Sequence, residues 1–307
     1  MNIFIAGATG ALGSRLVPVL VARGHRVVGT TRSPAKAAWL GEQGAEGVVL
    51  DPLDADAVRE AVIAARPEVV VHQLTALSHM KLGRDFDGAF AETNRLRTEG
   101  TDILIAAARA AGARRLVWQS YAGWPLAREG GRIKDEDAPL DSHPPSDARE
   151  TLAAIRHLEG VVTGAEGMDG VVLRYGGFYG PGTSMTRDGG EQVEMIRRRR
   201  FPIAGDGAGI ISLVHIDDAA VATADAIEGG PPGIYHVVDD EPAPAAEFVP
   251  AVARQIGAKP PRRMPAWLVG LLAGQQVRTL MTGTRGAANG RAKRELGWQP
   301  VHSWREI

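Results

Sequence analysis

The stretch Ile3-Phe4-Ile5-Ala6-Gly7-Ala8-Thr9-Gly10-Ala11-Leu12-Gly13-Ser14-Arg15-Leu16 decides the fold of this 307-residue chain. A short apolar strand runs straight into a turn with glycines at the spacing G-x-x-G-x-x-G. The turn runs into a segment whose apolar residues Leu12, Leu16, Val19 and Leu20 have helical spacing. Glycine allows the tight turn and leaves no side chain in the way of a pyrophosphate, and a helix N-terminus presents unpaired N–H groups and partial positive charge to an anion. Gly7, Thr9, Gly10, Ala11, Leu12 and Gly13 are therefore the candidate contacts of a dinucleotide.

Working outward, short apolar strands read at His25–Thr30, Gly47–Leu50, Glu68–His72, Arg114–Gln119 and Gly170–Arg174. Between them lie helical segments near Pro34–Gly41, Asp54–Ala65 (opened by an Asp cap), Phe86–Ala111 and Ala148–Thr163. Strands apolar throughout and alternating with helices predict an α/β fold, a Rossmann-type doubly wound parallel sheet with helices on both faces. After about Gly176 glycine and proline become denser and the elements shorter. The expected division is residues 1–175 as an NADP(H)-binding domain and 176–307 as mainly a smaller C-terminal substrate lobe, with some segments returning to the first domain.

The ribose is read at the end of the second strand, where an NAD-selective site places an acid. No acidic residue precedes Glu42, and the strand ends Gly29-Thr30-Thr31-Arg32-Ser33. An arginine there suits a 2′-phosphate through charge-assisted bidentate bonds, so the cofactor is expected to be NADP(H) rather than NAD(H).

Composition excludes more than it assigns. A net charge of -1 offers no positive field for nucleic acid or an anionic membrane, and there are no cysteines for disulfides, thiolate metal sites or nucleophiles. No segment has the length of a membrane span and the N-terminus lacks a signal-peptide pattern, so a cytoplasmic protein with a small-molecule substrate is expected. The chain stops within what reads as a helix start and is expected to extend further. Arg197–Arg200 reads as a solvated helix end, and the histidines form no metal-like cluster, so no metal is expected.

The segments Gly7–Gly13, Leu50–Asp54 (LDPLD), His72–Ala76 (HQLTA), Arg114–Ser120 (RRLVWQS), Leu173–Thr183 (LRYGGFYGPGT), Leu213–Ala220 (LVHIDDAA) and Leu296–Pro300 (LGWQP) together resemble the extended short-chain dehydrogenase/reductase family, also called the NAD-dependent epimerase/dehydratase family. The resemblance spans nearly the whole chain. It implies that Asp51 and Pro52 meet the adenine, that Gln73, Leu74 and Thr75 lie beside the ribose and pyrophosphate, and that Tyr175 and Gly176 flank the nicotinamide. It implies a homodimer through the helices at Phe86–Ala111 and Ala148–Thr163, and a structural turn at His215, Asp217 and Asp218. It also implies an Asn about three residues before a Gly-Thr; here Asn94 lies six before Gly100-Thr101.

One feature of the family is missing. Its chemistry rests on a Tyr with a Lys four residues later, the lysine lowering the pKa of the tyrosine acid/base. None of the four tyrosines has that lysine, and alignment on Glu159 puts Thr151 and Ile155 at the two positions. Ser120 or Tyr121 then stands where the family's third catalytic residue falls, and the two are the candidate donor pair, with Tyr121 the stronger. Lys81 and Lys134 are loop lysines within reach of a cleft. Tyr179, Met185, Arg187 and Trp267 are candidate pocket residues. The expected function is an NADP(H)-dependent oxidoreductase acting on a small carbonyl or alcohol by a non-standard acid/base arrangement. The alternatives are an NADP(H)-binding redox sensor without catalysis and a nucleotide-sugar epimerase/dehydratase.

Overall fold

The computed structural model describes residues 1–77 and 83–307. Seven parallel strands form the central sheet: β1 (Asn2–Ala6), β2 (Arg26–Thr31), β3 (Glu46–Val49), β4 (Val69–His72), β5 (Arg115–Tyr121), β6 (Asp169–Tyr175) and β7 (Gly233–Val237), in the order β7-β6-β5-β4-β1-β2-β3. The order reverses between β1 and β4, where Gln73 N–H donates to the Ala6 carbonyl at 2.8 Å. In open α/β sheets this crevice beyond the carboxyl ends of the strands is where ligands bind.

Alternation along each strand feeds two cores. Ile3 and Ile5 point to one face, under α1 (Gly13–Ala22) and α2 (Pro34–Glu42). Phe4 and Ala6 point to the other, under α3 (Ala55–Ala65), α5 (Thr101–Ala110) and α6 (Arg149–Thr163). The Asp54 cap expected for α3 is made: its Oδ1 accepts from Ala57 N–H at 3.1 Å.

The long helix expected over Phe86–Ala111 is α4 (Phe86–Arg95) and α5 joined by a π-helical turn, Leu96–Gly100. A π turn adds a residue and frees a carbonyl from the ladder. Here buried His72 donates through Nε2–H to the Leu96 carbonyl at 3.1 Å. Burial pulls the His72 imidazole down to about 4. Unfolded histidine titrates near 6.5, so this group's stabilisation is full above that pH and is lost as pH falls toward 4, an acid-side loss of about 3 kcal/mol. Buried His236, pulled down to about 3, adds to it. His72→Gln is expected to flatten the urea midpoint between pH 6.5 and 4.5; an unchanged slope would show that His72 does not couple to folding.

Beyond β6 the chain leaves the sheet for a second lobe with α7 (Glu191–Arg197), returns with α8 (Ile216–Glu228) and β7, and leaves again with α9 (Ala245–Gln255), α10 (Ala266–Ala273) and α11 (Gln275–Thr282). With α12 (Gly290–Glu295), Ala292 and Trp298 pack into the same core as α1 and α8. Among the described residues no helix is long and apolar enough to cross a membrane.

Candidate active site

The glycine turn is held by contacts that leave no room for side chains at two of its three glycines. Gly7 has φ +89°, and a Cβ there would lie 2.7 Å from the Gln73 carbonyl oxygen. A Cβ on Gly13 would lie 2.3 Å from the Gly7 carbonyl oxygen, whereas one on Gly10 would meet nothing closer than 3.3 Å. The two outer glycines thus serve packing, and the middle one leaves open the side a ligand approaches. Threonines at the end of β2 stitch the turn in place: Thr9 Oγ1 donates to Thr31 Oγ1 at 3.0 Å and Gly7 N–H to Thr30 Oγ1 at 3.4 Å. The first turn of α1 has no side-chain cap and no acid, so its positive end faces an anion unopposed, although the Ser14 and Arg15 N–H groups already donate to the Gly10 and Leu12 carbonyls at 3.0 Å.

The other expected cofactor contacts all fall at the carboxyl ends of parallel strands and so along one edge of the sheet: Arg32 after β2, Asp51 and Pro52 after β3, Gln73, Leu74 and Thr75 after β4, Tyr175 and Gly176 at the end of β6. Asp51 Oδ1 accepts from Leu53 N–H at 2.9 Å, which fixes the turn after β3. Buried Gln73 has an unpartnered Oε1. Tyr175 offers this edge only its backbone. Its hydroxyl points into the core, 2.7 Å from Thr223 Oγ1, and burial pushes it well above the usual phenol range. Arg32 is exposed, and its Nη1 donates to Glu92 on α4 at 3.2 Å. The acid-free stretch of sequence is therefore not acid-free in space.

The tyrosine and lysine positions are packed over. Thr151 is fully buried and donates its hydroxyl proton to Asp87 Oδ1 at 2.7 Å, while Asn94 Nδ2 donates to Thr151 Oγ1 at 3.1 Å. Ile155 is 1% exposed. Neither presents a proton to a cleft.

Ser120 and Tyr121 do not form the expected pair. The strand β5 extends through both, so their side chains leave in opposite directions. Ser120 donates to Glu159 Oε1 at 2.7 Å, and Glu159 is clamped by Arg174 through Nε at 2.8 Å and Nη2 at 2.7 Å. All three are at least nine-tenths buried, so the serine's one proton is committed to a buried ion pair. Tyr121 is half-buried, and its hydroxyl has no hydrogen-bond partner among the described residues. Burial raises its pKa, and the charge of Arg97 opposes the rise.

Arg97 is the residue that sequence reasoning missed. It lies on the π turn, three residues before Gly100, and is 7% exposed. The signal was its phase: with Thr93, Leu96, Gly100, Thr101 and Leu104 it falls on the buried stripe of the helical run, where an arginine is out of place.

Other expectations move. Lys134 lies on a short strand pairing with Gly286–Ala287 and donates to the Glu129 carbonyl of its own loop. Lys81 lies outside the described residues. Tyr179 and Met185 sit in the core of the second lobe with Val193, Ile196 and Phe248, not in a pocket. Trp267 is 67% exposed on α10, and Arg187 reaches the Gln255 carbonyl on the surface. His215 caps α8, and Asp218 accepts from Val301 and His302. Among the described residues no three such side chains are grouped to hold a metal ion.

The profile of the NAD dependent epimerase/dehydratase family matches residues 3–237. Among characterised proteins, the chain is 48% identical over 309 residues to a 3-diazoavenalumate denitrifying reductase of a Streptomyces species, covering all of this chain and 98% of that protein. It is 29% identical to a 2-alkyl-3-oxoalkanoate reductase of Stenotrophomonas maltophilia, over 84% of this chain and 76% of that one. Its fold matches that of UDP-glucose 4-epimerase from Thermotoga maritima with a TM-score of 0.76 at 19% identity, over all of this chain and 96% of the other.

Proposed function

This chain belongs to the NAD dependent epimerase/dehydratase family and is an NAD(P)-dependent enzyme; from that premise we propose that it is an NADP(H)-dependent reductase that delivers hydride to a small aromatic electrophile without the family's tyrosine–lysine proton relay. What carries the reading is the contrast at the site. The dinucleotide frame is complete, while the two relay positions are a committed threonine hydroxyl and an isoleucine. A carbonyl that accepts hydride becomes an alkoxide and needs a proton as it forms. An arenediazonium group already carries positive charge and needs none. Hydride added to its terminal nitrogen gives Ar–N=N–H with neutral charge. The N–H proton then passes to the ring carbon as the C–N bond breaks and N₂ leaves, so NADPH ends as NADP⁺ and the arene carries a new C–H bond. A diazo acid is the substrate class in the name of the relative at 48% identity. A diazonium cation on saturated carbon loses nitrogen in water too fast to be handed to an enzyme, which favours an aromatic or conjugated carrier. The test is NADPH oxidation with an arenediazonium carboxylate, with N₂ measured alongside. One N₂ per NADPH is expected, and no oxidation above the enzyme-free rate would overturn the reading.

The free hydroxyl of Tyr121 favours a second reading, reduction of a small carbonyl compound with Tyr121 as proton donor. The two separate on one variant. Tyr121→Phe is expected to lower kcat for carbonyl substrates by about 10²- to 10⁴-fold, the usual contribution of a general acid, and to change diazonium reduction by less than about threefold. Tight NADP(H) binding with no turnover on either class would return the chain to a sensor.

The preference for NADP(H) rests on Arg32. Binding would exchange its surface pair with Glu92 for the 2′-phosphate. Arg32→Asp is expected to weaken NADP⁺ on the order of 10- to 100-fold, the worth of a charge-assisted bidentate contact, with NAD⁺ affinity held or improved. Calorimetric titration of both nucleotides checks this, and an unchanged affinity ratio would sink the assignment. A homodimer through α4–α5 and α6 is proposed with it, read by light scattering.

A further inference from the structure

The guanidinium of Arg97 is buried and, among the described residues, has no counter-ion within ion-pair distance. Its one hydrogen bond among the described residues is from Nη1 to Asn94 Oδ1 at 3.4 Å. No carboxylate of the described residues lies within ion-pair distance, and residues 78–82 (SHMKL) contain none. Glu159, whose charge reaches Arg97, is already clamped by Arg174, so two buried guanidiniums face one carboxylate. Burial pulls Arg97 down to about 10, which leaves it a cation at any ordinary pH.

Around this charge stands a run of aromatic rings. The guanidinium carbon lies 5.7 Å from the Phe90 ring centre. Phe90 stacks on Phe86 at 4.6 Å, Phe86 meets the edge of Trp124 at 5.6 Å, and Trp124 stands 6.5 Å from Tyr121. Phe90, Trp124 and Tyr121 are each only half-buried. Asn94 links Arg97 to Thr151, at the position the family's tyrosine would take, through bonds at 3.4 Å and 3.1 Å.

We propose that Arg97 and the rings of Phe90, Trp124 and Tyr121 form the receptor for an aromatic oxyanion, a carboxylate or phenolate carried by the substrate's ring. An isolated buried charge is costly, and a substrate that brings the missing negative charge repays it with a charge-assisted, bidentate contact in a water-poor site. The planar rings supply the surface for an arene beside it. This deepens the reduction proposed above by naming the substrate's second feature, and it rests on that reading only for the position of the reacting group.

Binding tests it without turnover. Benzoate and 4-nitrophenolate, each titrated at pH 8.5 into the full-length protein saturated with NADP⁺, probe the two sources of the oxyanion. Benzamide and nitrobenzene are their uncharged controls. Saturable binding of at least one anion below about 10 mM is expected, and which one binds says whether the site takes a carboxylate or a phenolate. Arg97→Gln should weaken it on the order of 10- to 100-fold and Arg97→Lys by an intermediate amount, while the controls stay unchanged. NADP⁺ binding should be unaltered in both variants. The melting temperature of ligand-free Arg97→Met should equal or exceed that of the original, because the charge lacks a partner, whereas a structural cation would lower it on removal. Failure of both anions to bind, or binding indifferent to Arg97→Gln, would overturn the proposal. Arg97-dependent binding with no NADPH turnover would keep the receptor and refute the reductase.

Discussion

Gly13→Ala is expected to cut dinucleotide affinity by about 100-fold or more and to lower stability by roughly 1–3 kcal/mol, the range for overpacking a tight site. The added Cβ would stand 2.3 Å from the Gly7 carbonyl oxygen and 2.7 Å from the carbonyl carbon of Ala8. These are backbone atoms, so no rotamer change relieves the clash. Either the turn opens or α1 is pushed off it, and both remove N–H donors from the place where a pyrophosphate would sit. Gly10→Ala is the internal control. Its Cβ would stand 3.3 Å from the Gly7 carbonyl oxygen, a tight contact that a shift of a few tenths of an ångström relieves, so stability should fall far less than in Gly13→Ala while binding still drops. Fluorescence titration with NADPH and a thermal melt read both effects. Normal binding by Gly13→Ala would mean that the helix N-terminus does not hold the cofactor.

The second large effect lies under the site. Glu159→Gln keeps the shape of the side chain and removes the carboxylate that pairs with Arg174 and, among the described residues, the one whose charge reaches Arg97. Breaking a buried pair from one side leaves an uncompensated charge and costs about 3–5 kcal/mol. Ser120 loses its charged acceptor in the same change. Because Ser120 and Tyr121 are consecutive in β5, a shift of the strand end would move the Tyr121 hydroxyl as well. Urea denaturation should show the loss, and the double variant Glu159→Gln/Arg174→Met should recover most of it. A loss of less than about 1 kcal/mol in the single variant would show that water reaches and covers the Arg174 charge.

The site was legible in the sequence to different depths. The glycine turn could be read because its function depends on neighbours in the chain: a strand, three glycines at fixed spacing and a helix start. Asp51, Gln73 and Gly176 came from the family resemblance; the fold sets each just after a strand, on the one edge to which parallel strands deliver their carboxyl ends. Tyr175 came from the same resemblance, which carries no direction for its hydroxyl, since that depends on Thr223 packing beneath it. Tyr179 and Met185 were misread as pocket residues because their dense glycine surroundings hide the apolar partners, Val193, Ile196 and Phe248, that bury them.

By itself the sequence determined the alternating α/β frame, the dinucleotide turn and the missing Tyr-x-x-x-Lys, because periodicity, spacing and absence are properties of one dimension. Only the tertiary structure decided which polar groups are spent and which are free. The proton of Ser120 goes to Glu159, 39 residues on; Arg32 meets Glu92, 60 residues on; and Arg97 forms an ion pair with no acid among the described residues. Those outcomes follow from strand order and helix phase, which bring distant side chains to hydrogen-bond distance or hold them apart, and a local pattern carries neither distance.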